Sequence, residues 1–249
     1  YYTVDRIIEN ANNTGSKTII QVTTEGRTHL WEPFPDRIRT PYTIDRALYK
    51  NIPGTALVFE EHNQDLGLVF RYAWRTSEQY GVVKTPRLIN QGDNTHTITL
   101  TDGVQNILPA HVAAAPQNEF SVLMDAYKRS ELHAESGVGM FSLSSRLTDL
   151  AEPSEALKAN TVWSIGLDNP TYLLSTLQLD AFRRGEPVHT ETDIRAERGA
   201  YLVATELELS PKAEKEWMIV ANINQGPSDV VALSRSIRTE ENLREQVLA

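Results

Sequence analysis

The stretch Tyr201-Leu-Val-Ala-Thr-Glu-Leu-Glu-Leu209, followed after a short break by Trp217-Met-Ile-Val-Ala-Asn-Ile223, decides the fold class. Tyr201, Val203, Thr205, Leu207 and Leu209 share one phase of a period-two pattern, while Glu206 and Glu208 share the other. Beyond the turn-like Ser210-Pro-Lys-Ala-Glu214, the residues Trp217, Ile219, Ala221 and Ile223 alternate again. A half-buried strand needs this alternation, because successive side chains face opposite sides of a sheet. The segment is therefore expected to form a strand pair.

The same period runs outward from it. Residues 17–32 alternate through Ile20, Val22 and Thr24, cross Glu25-Gly26, and return through Thr28 and Leu30, which is a hairpin signature. Leu57-Val-Phe-Glu-Glu61 and Leu66-Gly-Leu-Val-Phe-Arg-Tyr-Ala-Trp74 repeat it across His62-Asn-Gln-Asp65. Residues 95–101 are rich in β-branched side chains and are expected to stop at Asp102-Gly103, a hairpin turn pair. Residues 120–133 fit a helix through Phe120, Leu123, Met124 and Tyr127. The Glu135-Ser-Gly137 turn and the apolar run after it favour a long hairpin instead, and strand is the expectation.

Helix is expected only near the end. Pro227-Ser228 ahead of Asp229 and Val230 reads as an N-cap with an acid in the first turn, and Thr239-Glu240-Glu241 offers a second start. The fold class is mainly β, a large antiparallel β-sandwich over residues 1–226. A short C-terminal helical segment, 227–249, follows it.

The 249 residues, 40% hydrophobic and 23% charged, suffice for a sizeable core. A net charge of -9 argues against nucleic acid or an anionic membrane as the partner. No apolar run has the length of a membrane-spanning helix. Without cysteine there is no disulfide, thiol nucleophile or thiolate metal site. The chain opens Tyr1-Tyr2-Thr3 with no signal-like segment, and closes on a helix-like run, 242–249, that lacks a stop signal. A cytoplasmic piece of a longer polypeptide is expected.

Catalytic motifs are scarce. There is no G-x-S-x-G, Walker loop or H-E-x-x-H, and no catalytic residue, metal ligand or cofactor is assigned. Gly137-Val-Gly139-Met-Phe-Ser142 begins like a dinucleotide fingerprint but lacks the third glycine and reads as a hairpin turn. His189-Thr-Glu191-Thr-Asp193 would place an imidazole and two carboxylates on one strand face, for a metal or for acid–base work. Beside Arg183-Arg184-Gly185-Glu186 a solvated edge is the plainer reading. The acidic pairs Glu60-Glu61, Glu152/Glu155 and Glu206/Glu208 read as surface residues.

Aromatic residues carry more. Sugar binding sets a ring against the apolar face of a pyranose, with carboxylates and amides on its hydroxyls. Trp31-Glu32-Pro33-Phe34 and Phe70-Arg71-Tyr72-Ala73-Trp74 supply those residue types, so Trp31, Glu32, Tyr72 and Trp74 are the candidate carbohydrate contacts. The competing use of such rings is the sandwich core, where they supply much of the buried area.

Several phrases, in order, resemble the N-terminal part of the cellobiose-phosphorylase family, the inverting disaccharide and oligoglucan phosphorylases. The nearer likeness is to 1,2-β-oligoglucan phosphorylase-like proteins. They are Arg6-Ile-Ile-Glu-Asn-Ala-Asn12, Trp31-Glu-Pro-Phe34, Leu66-Gly-Leu-Val-Phe-Arg-Tyr-Ala-Trp74 and Gln117-Asn-Glu-Phe-Ser121. Asp125-Ala-Tyr-Lys128, Ala151-Glu-Pro-Ser-Glu-Ala-Leu157 and Trp217-Met-Ile-Val220 complete the set. The resemblance implies a β-supersandwich domain, with 227–249 opening a helical linker to an (α/α)₆ barrel. The barrel would carry the general acid and bind inorganic phosphate, the co-substrate of the parent enzyme. The implied role of this part is scaffolding, interdomain or homodimer contact, and contact with a β-glucan or oligosaccharide acceptor.

Two other readings remain. One is a stand-alone carbohydrate-binding module. The other is a mutarotase-like sugar epimerase, in which His29 or His96 would meet a carboxylate in one pocket.

Overall fold

In the computed structural model the described residues are 12–24, 26–34, 40–112, 117, 119–145 and 157–248. Residues 1–11 and 151–156, which hold parts of two resembling phrases and the pair Glu152/Glu155, lie outside them, as does residue 118. The first strands are β1 (Gly15–Thr24), β2 (Arg27–Trp31), β3 (Ile44–Lys50), β4 (Leu57–Asn63) and β5 (Leu68–Ser77). Next come β6 (Gly81–Asn90), β7 (His96–Ile107), helix α1 (Ser121–Tyr127), β8 (Lys128–His133), β9 (Val138–Leu143) and β10 (Ala159–Ile165). Then follow β11 (Thr171–Leu173), α2 (Leu179–Arg183), β12 (Asp193–Arg195), β13 (Gly199–Leu209), β14 (Glu214–Glu216) and β15 (Met218–Gln225). Helices α3 (Pro227–Thr239) and α4 (Leu243–Leu248) close the described chain.

The strands form two antiparallel sheets. The smaller has the order β11-β13-β7-β1-β2; the larger runs β12-β8-β9-β10-β15-β6-β5-β4-β3, with β14 beside β6. The expected hairpins are present. Thr24 pairs with Arg27, with Gly26 before it at φ 75°, and Asn63 pairs with Leu68. The Gly137 phrase is the turn and first residues of the β8–β9 hairpin.

Alternation sorts the side chains into layers. Ile20, Val22, Ile98, Leu100, Tyr201 and Val203 of the smaller sheet pack against Leu68, Phe70, Leu88, Phe141, Val162 and Ile219 of the larger. The outer face of the smaller sheet buries Ile19, Leu173 and Leu202 under Leu179 and Phe182 of α2. On the outer face of the larger sheet, Tyr80, Val83, Trp163, Met218 and Val220 are covered by Leu243 and Val247 of α4, with Leu233 and Ile237 of α3 alongside. Helices α3 and α4, which lie in the segment set apart in sequence as the start of a linker, thus pack onto the sandwich.

Four local expectations are corrected. The strands containing Tyr201–Leu209 and Trp217–Ile223 are not partners: β13 pairs with β7 and β11, and β15 with β6 and β10. Their apolar faces meet across the sandwich instead, which the same alternation serves equally well. The Asp102-Gly103 pair is not a turn, since β7 runs through it to Ile107. Asp102 points into the core, and a Cβ on Gly103 would lie 1.9 Å from the Tyr201 carbonyl oxygen on β13, so glycine is there for close approach of strands. Residues 121–127 are helical, with Met124 buried and its N–H donating to the Phe120 carbonyl at 2.8 Å, so the 3.6-residue period prevails there. Finally, the α3 cap is Gly226, whose N–H donates to Asp229 Oδ2 at 2.7 Å with Pro227 in the first helical position, and the last helix begins at Leu243 rather than near Thr239.

Candidate functional site

A cleft of about 860 Å³ opens over the outer face of the smaller sheet, where Lys17, Leu30 and Gln105 come up from β1, β2 and β7. Helix α2 forms one wall and residues 40–42 another. The α2 wall is built around Glu191. Its Oε2 accepts the Leu174 and Ser175 N–H groups at 2.7 and 2.8 Å, and its Oε1 accepts the Ser175 hydroxyl at 3.0 Å and the Gln178 amide at 2.8 Å. That turn delivers Leu179 and Phe182 to the sheet, and the Gln21 amide holds the Phe182 carbonyl. Asp180 and Arg183 are left facing the cleft.

The floor is set by a second carboxylate, this one buried. Glu61 accepts the Trp31 indole N–H at 2.9 Å through Oε1. Its Oε2 accepts the Phe34 N–H and Arg46 Nε, each at 2.8 Å. With Trp31 fixed inward, the next residue turns outward, and Glu32 stands in the cleft. Arg183 Nε donates to Glu32 Oε1 at 2.6 Å and Nη2 to Oε2 at 3.2 Å, while Lys17 Nζ sits 2.8 Å from Oε2. Arg183 Nη1 also donates to Asp180 Oδ1 at 2.6 Å.

These contacts settle the protonation state. Burial pushes the Glu32 carboxyl up, but the hydrogen bonds from Arg183 and Lys17 and their charges outweigh it and hold it below the usual value of 4.5. Arg183 is raised in turn, chiefly by its bond to Glu32. Glu32 is thus an ionised acceptor at neutral pH and not a proton donor. Around it stand the Tyr42 ring, whose hydroxyl donates to the Leu30 carbonyl at 2.8 Å, and the amides of Gln105 and Asn106. A cleft with carboxylate, guanidinium, amide and aromatic surfaces is equipped to hold a hydroxyl-rich ligand through hydrogen bonds.

The four residues expected to touch sugar do not come together. Only Glu32 lines the cleft. Trp31 is 1% exposed and its ring belongs to the inter-sheet core, with its N–H spent on Glu61. Tyr72 is also a core residue, stacked on Phe59 at 4.9 Å and set edge-on to Phe34 and Trp74. Burial, aided by Asp102 and opposed by a bond with Ser16, pushes its hydroxyl up to about 12. Trp74 is half-buried at the margin of that core. The alternation that marked these rings as strand-borne also sends them inward, which is why the core use prevails for Trp31 and Tyr72.

Lys17, Tyr42, Gln105 and Arg183 were not singled out from sequence. Arg183 lies 151 residues from Glu32, so no local spacing announces the pair. The His189-Glu191-Asp193 trio separates: Glu191 builds the α2 turn, Asp193 pairs with Arg129 and Arg195, and the His189 backbone binds Gln178. Among the described residues no group of three or more His, Asp and Glu is placed to hold a metal ion. No described helix is long and apolar enough to cross a membrane. His29 and His96 do share a pocket, distinct from the Glu32 cleft but bordering it at Tyr42, which lines both.

The fold and cleft together define a two-sheet antiparallel β-sandwich with a polar cleft on the smaller sheet. No family model matches the chain, and no curated protein matches it. Solved structures similar to it include a polysaccharide lyase, at 11% identity and a TM-score of 0.47 over 90% of this chain and 28% of that one. A protein assigned as a kojibiose phosphorylase from the human microbiome shares 11% identity and a TM-score of 0.43 over 91% of this chain and 25% of that one. The Slr1438 protein of Synechocystis sp. PCC 6803 shares 8% identity and a TM-score of 0.38, over 82% and 73%. The chain spans about a quarter of the length of the first two, both of which bear the names of carbohydrate-active enzymes. Likenesses at this level carry no activity over to this chain.

Proposed function

We propose that this chain is the non-catalytic β-supersandwich part of a carbohydrate-active enzyme resembling the inverting β-glucan and disaccharide phosphorylases, and that the Glu32 cleft receives a β-glucan. The observation that carries the reading is the ionised Glu32 carboxylate held between Lys17 and Arg183 in a cleft of polyol-binding groups. The ordered phrases of the sequence supply the enzyme class. In the parent, phosphorolysis would take place in a separate barrel with inorganic phosphate as co-substrate. Leu48, Val82 and Ile223, exposed on the larger sheet, offer apolar surface for that barrel or for a second copy of the chain.

Titration calorimetry of the 249-residue chain with β-1,2- and β-1,4-gluco-oligosaccharides tests it. Saturable binding that falls at least tenfold in Glu32→Gln and Arg183→Met supports the cleft. Binding unchanged in both variants, or no heat with any glucan while the chain is folded, overturns it.

A further inference from the structure

The geometry points to a second small-ligand site, at the end of the sandwich around His96, that takes a neutral polyhydroxylated molecule of monosaccharide size. The pocket is about 440 Å³, at the small end of the roughly 300–1,000 Å³ usual for such sites. Its floor comes from the smaller sheet, where His29 on β2 and His96 on β7 flank β1. Its rim comes from the larger sheet, as the β4–β5 loop brings Gln64 and Asp65 and the loop after β6 brings Asp93 and Asn94.

The rim is built to stay in place. Asn63 and Asn90, both fully buried, pin the two loops from inside. Asn63 Oδ1 accepts the Leu66 N–H at 3.1 Å, and the Asn90 amide donates to the Asn94, Leu209 and Ser210 carbonyls at 2.8, 3.0 and 3.0 Å. The loops are tied to each other by the Gln91 N–H on the Gly67 carbonyl at 2.8 Å. Asp65 Oδ2 is steadied by the Thr43 N–H at 2.5 Å.

Against this frame, His96 is only 4% exposed, and its Nδ1 is buried with no hydrogen-bond partner among the described residues. A buried imidazole nitrogen left unpaired is costly, and a ligand hydroxyl would satisfy it. Burial disfavours the charged form of His96, although a contact with the Leu66 carbonyl works the other way, so the ring is neutral at pH 7 and does not invite an anion. On the rim the Asp65 carboxylate disfavours anions and accepts from hydroxyls, while Asp93, paired with Lys212 at 3.0 Å, keeps its second oxygen as an acceptor. The Asn94 amide can donate, as can the Gln64 N–H not given to Asp45. The pocket is therefore complementary to alternating hydroxyl donors and acceptors without net charge.

The test is a titration of the ¹⁵N-histidine-labelled 249-residue chain with D-glucose, D-galactose, myo-inositol and inorganic phosphate, followed by long-range ¹H–¹⁵N spectra. The expected result is a saturable shift of the His96 ring nitrogens with at least one of the three neutral polyols. It should be lost in Asn94→Ala or weakened at least fivefold in Asp65→Asn, which keeps the acceptor for Thr43. Glu32→Gln should leave that shift unchanged, which separates this site from the glucan cleft. No shift with any polyol up to solubility, a response to phosphate alone, or a shift abolished by Glu32→Gln overturns the proposal.

Discussion

Lys84 of the larger sheet and Asp102 of the smaller meet at 2.6 Å with neither side chain exposed to solvent. Both carboxylate oxygens are used: Oδ1 also accepts the Thr18 hydroxyl at 2.6 Å, and Oδ2 accepts the Trp217 indole N–H at 2.8 Å. The ammonium adds the Gly103 carbonyl at 3.3 Å and lies 5.1 Å from the Tyr72 ring centroid. Burial pulls Lys84 below its usual pKa despite the partly offsetting pull of Asp102. Desolvation of such a pair cancels most of its attraction, so its worth lies in fixing how the two sheets stack.

Breaking it from one side should therefore be severe. Asp102→Leu and Lys84→Met are each expected to cost about 3–5 kcal/mol, because each strands a buried charge. The double change Lys84→Met with Asp102→Leu should cost far less than the sum. Urea unfolding of the three variants checks this, and strictly additive losses would contradict the coupling.

The Trp31–Glu61 bond should link stability to the cleft. Trp31→Phe keeps a ring in the core but leaves Glu61 Oε1 without its donor, at an expected cost of about 1–3 kcal/mol. Because Glu32 follows Trp31 directly, the glucan affinity proposed for the cleft should fall in the same variant, although Trp31 does not line the cleft. Affinity equal to wild type in a destabilised variant would show that Glu32 is positioned by Arg183 and Lys17 alone.

The Glu32 pKa carries a pH prediction with a definite sign. Its folded value lies below the unfolded 4.5, so the stabilisation is complete above 4.5 and is lost as pH falls through the folded value. Glu32→Gln should lose stability at pH 7 and lose less than wild type on acidification past 4.5. Denaturant midpoints measured across that range give the comparison. A gap between wild type and Glu32→Gln that stays constant with pH would mean the ion pairs do not form.

Position 103 shows what the sequence could and could not say. The β-rich alternation was legible because burial of one strand face leaves a period of two wherever the chain is read. Partnership was not, since β13 and β15 have the same pattern whether they pair or face each other. Asp102-Gly103 looks like a turn because both residues favour turns, and only the neighbours, Lys84 and Tyr201, explain them within a strand. The cleft was legible in Glu32 alone, as its partners come from β1 on one side and from α2, 151 residues on, on the other. Gly103→Ala tests the strand reading. With a Cβ 1.9 Å from the Tyr201 carbonyl oxygen, β7 and β13 must separate, and a loss above about 4 kcal/mol is expected. A solvent-exposed turn would tolerate the same change far better.

The C-terminal helices give the last contrast. A linker that merely leads away from the sandwich would add little to its stability. Here Leu243 and Val247 are buried against Tyr80, Trp163 and Val220, and the Tyr80 hydroxyl donates to Gln246 Oε1 at 3.0 Å. Removing them would expose Trp163 and Tyr80, whose rings pack edge-on at 6.0 Å. Leu243→Ala is expected to cost about 2–5 kcal/mol, as for other large-to-small core changes. Ending the chain at Glu240 should cost more and brighten the fluorescence of a hydrophobic dye on the uncovered sheet. Leu243→Ala with wild-type stability would show that α4 leaves the sheet in solution and that Trp163 is not held under it.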